Sequence, residues 1–135
     1  MNLPLPPGVN DDGFFYAFDE LIIPIVQQFE PEITLVSAGQ DIHYADPLGG
    51  MLVTAAGFRG LAQRVKSVTP NGHMIACLEG GYNLQALADS ALTICGSLFD
   101  FQTRVEEEVI DSGVSQSVRD HVGKAIKLQS DYWQL

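Results

Sequence analysis

Positive charge is scarce in this 135-residue chain: seven Lys and Arg stand against 17 Asp and Glu, a formal net charge of −10. So acidic a surface repels phosphate backbones and anionic lipid heads, so neither nucleic acid nor membrane is expected as a partner. Cysteine is scarce as well. Cys77 and Cys95 lie in apolar runs without Cys-x-x-Cys spacing, which gives neither a disulfide framework nor a cysteine zinc ribbon; both read as buried thiols. No apolar run nears the roughly 18 residues that cross a bilayer, and Met-Asn-Leu-Pro-Leu-Pro-Pro at the start lacks the basic and apolar regions of a secretory signal, so the expected compartment is the cytoplasm. Also missing are Gly-x-Ser-x-Gly, Gly-x-x-x-x-Gly-Lys and His-Glu-x-x-His. A self-contained serine hydrolase, nucleotide hydrolase or zincin therefore has no motif to rest on.

What is present is enough apolar material, 46% of residues, to build one core, and the length suits a single domain over residues 1–135. Asn10, Asp11 and Asp12 offer N-cap oxygens to a helix carrying Phe14, Phe15, Phe18, Leu21, Ile22, Ile25, Val26 and Phe29, with Pro24 expected to kink it. Ile33–Ala38 and His73–Leu78 are short aliphatic runs bounded by Pro or Gly, the signature of strands buried on both faces. Between them Thr54 caps a helix with Phe58, Leu61, Ala62 and Val65 on one side, and a further helix follows from Leu84 to Phe99. This alternation predicts an α/β fold, a partial three-layer parallel sheet flanked by helices, over residues 1–99. Residues 100–135, with the acidic run Glu106-Glu107-Glu108, a breaker at Ser112-Gly113 and a terminal Tyr132-Trp133, predict a tail of two helices.

In parallel sheets ligands bind beyond the carboxyl ends of the strands, and both polar, glycine-bearing loops directly follow strands. Asp41-Ile-His43-Tyr-Ala-Asp46 gathers two carboxylates and an imidazole, groups that suit a hard or borderline cation and equally suit turn capping. Glu79-Gly80-Gly81-Tyr82-Asn83 offers a close backbone approach and a phenol able to donate to an oxyanion; the same letters suit a Gly-Gly turn with Asn83 as a helix cap. His73 and His121 have no ligand neighbours in sequence and read as structural or exposed.

Taken together, Leu3-Pro-Leu-Pro-Pro-Gly8, Leu35-Val-Ser-Ala-Gly39, Asp41-x-His43, Asp46-Pro-Leu-Gly-Gly50 and Leu78-Glu-Gly-Gly-Tyr-Asn-Leu84 resemble, in order and interval, the C-terminal part of the zinc-dependent histone deacetylase and acetylpolyamine amidohydrolase family, which has the arginase/deacetylase fold. The resemblance implies hydrolysis of an acetyl-lysine or acetylpolyamine amide on zinc. It implies that Asp46 matches a zinc-ligand aspartate, that Tyr82 matches the oxyanion tyrosine, and that Gly80 and Gly81 match the glycines of the substrate wall. Asp41 and His43 match commonly occurring, loop-shaping letters rather than the family's ligand Asp-x-His, which belongs to an earlier strand; that ligand pair and the catalytic histidine pair are both absent from this chain. Gln40 stands where an aromatic often follows Ser-Ala-Gly. The expectation is therefore that the chain alone holds no zinc and is not catalytically competent. It either joins an N-terminal part that completes the site or acts as a non-catalytic oligomer, partner-binding protein or small-molecule binder. A homodimer or larger oligomer is expected, because so small a sheet leaves an apolar edge unpaired.

Overall fold

The computed structural model describes residues 1–107, 110 and 112–135. Asn10 caps the first helix, its side chain accepting from Gly13 N (3.0 Å), and α1 (Asp11–Ala17) runs through a π-helical turn (Phe18–Ile22) into α2 (Ile23–Phe29). The expected kink at Pro24 takes the form of that widened turn. Proline brings no N–H to an α-type bond, and just ahead of it Ile23 N–H reaches five residues back to Phe18 O. Glu30 ends the helix in the left-handed region, at φ 51°.

Next come β1 (Thr34–Ala38), α3 (Ala55–Ser67), a 3₁₀ turn at Pro70–Gly72, β2 (Met74–Leu78), α4 (Leu84–Leu98) and α5 (Gln116–Gln129). The strands pair in parallel, Thr34 opposite Met74 through Ala38 opposite Leu78, as the helix–strand alternation requires. Helices α3 and α4 pack on each other, and the inner sheet face, with Val36, Ala38, Met74 and Ala76, borders an apolar cavity of about 210 Å³ shared with Phe14 and Phe58.

The opposite face corrects the expectation of strands buried on both sides. Leu35 is 71% and Ile75 53% exposed, because no element among the described residues packs there. An unbroken aliphatic run reports that a face is apolar; it does not supply the layer that covers it. Cys77, on that face, and Cys95, on α4, are exposed rather than buried for the same reason. Leu3 and Leu5 pack against the core as irregular chain.

Among the described residues the tail forms one helix where two were expected. Residues 100–107 are not helical, and Glu108, at the end of the acidic run, lies outside the described residues. Helix α5 returns to the first helix, where Val118 and Val122 join Val9, Ala17, Leu21 and Ile25 in the main buried cluster. On the first helix Phe14, Phe15 and Phe18 are partly buried, Phe14 against this cluster and Phe15 under Arg64 of α3, while Phe29 is 66% exposed. Trp133 docks on this cluster while Tyr132 stays exposed, and the Gln28 side chain clamps the terminus by donating to Gln134 O and accepting from Gln134 N, both at 2.9 Å.

Candidate functional site

The parallel pairing delivers both glycine-bearing loops to one end of the sheet, where backbone bonds join them at once: Glu79 N–H donates to Ala38 O (3.3 Å) and Gln40 N–H to Gly80 O (2.7 Å). Asp46 then bridges the two. One carboxylate oxygen accepts from Leu48 N–H (2.9 Å) and Gly49 N–H (3.2 Å) of its own turn, and the other from Tyr82 N–H across the gap (2.7 Å). Partial desolvation pushes the Asp46 carboxyl upward, but the backbone donors of Tyr82, Leu48, Gly49 and Asn83 together outweigh it and hold the group below the usual carboxylate range. It is thus an ionised, oriented carboxylate beside the tyrosine loop.

A second tie lies one residue over. Asn83 Nδ2 donates to Ala45 O (3.0 Å), while Asn83 Oδ1 accepts from Gln85 N–H and Ala86 N–H (both 3.1 Å) and so caps α4. Gly81 has φ +141°, which L side chains rarely adopt, and a Cβ there would press on Leu87 and Gln40. A Cβ on Gly80 would collide with the Asp41 carboxylate. The backbone conformation thus calls for glycine at Gly81, while a side chain at Gly80 would have to displace the Asp41 carboxylate. The Tyr82 side chain is 59% exposed on this rim.

His43 goes elsewhere. It is 2% exposed, stacked on Tyr44 and Phe58, and its Nδ1 accepts from Ala45 N–H (3.1 Å), so the proton sits on Nε2, which donates to Glu107 (2.8 Å). The other Glu107 oxygen accepts from Ala55 N–H (2.7 Å) at the start of α3. Beside it, Asp11 accepts from Thr54 N–H (2.8 Å) and Thr54 Oγ1 (2.6 Å), and burial pushes the Asp11 carboxyl above its usual range despite those bonds. The His43 imidazole is thus committed to Glu107 and Ala45 rather than to the Asp46 carboxylate. His73 is exposed, and His121 Nδ1 bonds Ser117 O on its own helix. Gln40 is buried beneath Gly81, and its Oε1 has no hydrogen-bond partner among the described residues.

Glu107 and Asp11 had no motif to mark them. The one signal in the sequence for Asn83 was its place after Gly-Gly-Tyr, which announced the cap but not the bond across to Ala45.

Zinc held by protein wants three ligands and an open position. Among the described residues no three His, Cys, Asp or Glu side chains are grouped to hold a metal ion, and the imidazole closest in sequence to Asp46 is committed to Glu107. The donors among the described residues do not by themselves make up a zinc site.

Residues 1–98 match the family model described as histone deacetylase domain. A probable deacetylase of Archaeoglobus fulgidus is 37% identical over 105 residues, covering 75% of this chain and 29% of that protein. Histone deacetylase 10, chloroplastic, of Oryza sativa subsp. japonica is 47% identical over 93 residues, covering 67% and 21%. The solved structure of the histone deacetylase Clr3 superposes with a TM-score of 0.89 at 28% identity, covering 99% of this chain and 22% of that one. The chain spans less than a third of the length of each of these proteins.

Proposed function

The chain belongs to the histone deacetylase family, and from that premise we propose that it supplies the C-terminal wall of an amide-hydrolysing centre to a deacetylase whose remaining groups lie on another segment. In this reading Asp46 contributes one carboxylate to the zinc that family membership implies for the full domain. The Tyr82 phenol donates its proton in a hydrogen bond to the oxyanion that develops as the acyl carbonyl is attacked. Gly80 and Gly81 leave the space through which the acylated side chain approaches. The observation that carries the reading is the 2.7 Å bond from Tyr82 N–H to the Asp46 carboxylate, which puts a would-be ligand and a would-be oxyanion donor on adjoining residues of one rim. Because one carboxylate cannot hold the ion, the chain alone is expected to bind zinc substoichiometrically and to leave an acetyl-lysine reporter unhydrolysed. Elemental analysis combined with the reporter assay tests this, alone and after mixing with the N-terminal part of a related deacetylase domain. Turnover in the mixture that is lost with Asp46→Ala and reduced with Tyr82→Phe supports the proposal, and stoichiometric zinc with turnover by the chain alone refutes it.

A second reading, a non-catalytic homo-oligomer, is favoured by the uncovered sheet face with Ile33, Leu35 and Ile75 and by the two open strand edges. Its expected outcome is a concentration-dependent dimer in analytical sedimentation at tens of micromolar, and a monomer throughout that range rejects it. Among the described residues no helix is long and apolar enough to cross a membrane.

A further inference from the structure

We propose that Asn83 is a positioning residue whose side-chain amide fastens the Asp46 loop to the Tyr82 loop and so fixes the separation between carboxylate and phenol. The inference rests on the function proposed above for Asp46 and Tyr82, but its geometry stands by itself. An N-cap asparagine needs only its oxygen, and Oδ1 is spent on Gln85 N–H and Ala86 N–H. The remaining donor, Nδ2, could have faced water at this partly exposed position; instead it takes Ala45 O, 38 residues away in sequence. Ala45 directly precedes Asp46, and Asn83 directly follows Tyr82, so two bonds cross the same gap on adjacent residues. Asn83 Nδ2 meets the Ala45 carbonyl, and Tyr82 N–H meets the Asp46 carboxylate. Two adjacent crossings stop the rotation that one would permit. Because Oδ1 also belongs to the α4 cap, the rim is tied to a 15-residue helix packed against α3 rather than to another loop. Serine and aspartate cap a helix about as well as asparagine, but neither presents an amide to the Ala45 carbonyl. The sequence position thus asks for a donor and an acceptor at once, which capping alone does not.

Asn83→Asp and Asn83→Ser separate the two roles, since both keep an acceptor for the cap and both lose the crossing bond. The readout is amide hydrogen exchange on the 135-residue chain, which needs neither zinc nor substrate, so the outcome is independent of whether deacetylation is ever reconstituted. The expected result is exchange about fivefold faster, the worth of one neutral hydrogen bond, at three of the amides that Asp46 holds, Tyr82, Leu48 and Gly49, with α4 beyond its first turn unchanged. Wild-type exchange at those three amides in either folded variant overturns the proposal and leaves Asn83 a helix cap. Loosening of α4 in step with the loops in both variants overturns it equally, because the effect then belongs to the helix. Should one variant fail to fold, the other decides.

Discussion

Replacing Glu107 by alanine removes a single side chain and strands two donors. Its carboxylate is 13% exposed and accepts from His43 Nε2, on a side chain only 2% exposed, and from Ala55 N–H at the start of α3. A buried donor left without an acceptor costs about 1–3 kcal/mol, so two of them predict a loss of about 2–6 kcal/mol from a domain whose whole stability is of the order of 5–15 kcal/mol. Glu107→Gln keeps one acceptor oxygen but turns an amide toward the other donor, and should lose roughly half as much. The pair also predicts coupling. In a His43→Ala background the imidazole no longer needs an acceptor, so Glu107→Ala costs less there than in the wild type. Urea unfolding followed by the fluorescence of Trp133, the chain's one tryptophan, packed against the main core, measures all four variants. A Glu107→Ala loss within about 0.5 kcal/mol of zero, or strict additivity with His43→Ala, would mean that water serves both donors and that the tail is not anchored through this residue.

Asp11 gives a prediction in pH. Burial raises its carboxyl above the ordinary range in the folded chain, so the native state holds that proton more tightly than the unfolded state does. Its contribution is therefore fully favourable below the ordinary carboxylate pKa of about 4 and is lost as pH rises through the elevated folded value. Asp11→Asn should flatten that fall in a stability–pH curve, and an unchanged slope would contradict it. Leu21, wholly buried between the first helix and α5, should cost about 2–5 kcal/mol when cut to alanine in the same urea assay, with less than 1 kcal/mol showing that the cluster collapses around it. Cys77 and Cys95 should both react promptly with a thiol reagent in the native state, and labelling that waits for denaturant would show their surfaces to be covered in solution.

Local signals carried most of the architecture. Thr54 and Asn83 announced helix starts and act as caps, and the two aliphatic runs between Pro or Gly became the paired strands. The meeting of the loops was legible from topology, since parallel strands must release them at the same end. Two things were not legible. Leu35 and Ile75 are aliphatic whether or not a neighbouring layer is present, so composition could not tell a buried face from one awaiting cover. Glu107 sits in an acidic run that looks like a solvated stretch, and only the return of the chain brings it to His43, 64 residues away. Asp46 and Tyr82 could be named because each sits in a distinctive motif, whereas the bond from Asn83 to Ala45 depends on which way an amide faces, and no spacing encodes that.

The widened turn at Phe18–Ile22 has a consequence for chain length. An α turn takes about 3.6 residues and a π turn about one more, so the eight steps from Ala17 to Ile25 make close to two whole turns. Ala17, Leu21 and Ile25 thereby stay in line with Val118 and Val122 across a stretch where a regular helix would have rotated Ile25 away from them by about 80°. The turn stores a spare residue. Deleting one position within it restores an ordinary helix with seven steps between the same two contacts, again near two turns, while a deletion between the turn and Ile25 that leaves the widened geometry in place swings that contact by about 100°. The first helix can therefore vary in length at one place without giving up its grip on the tail.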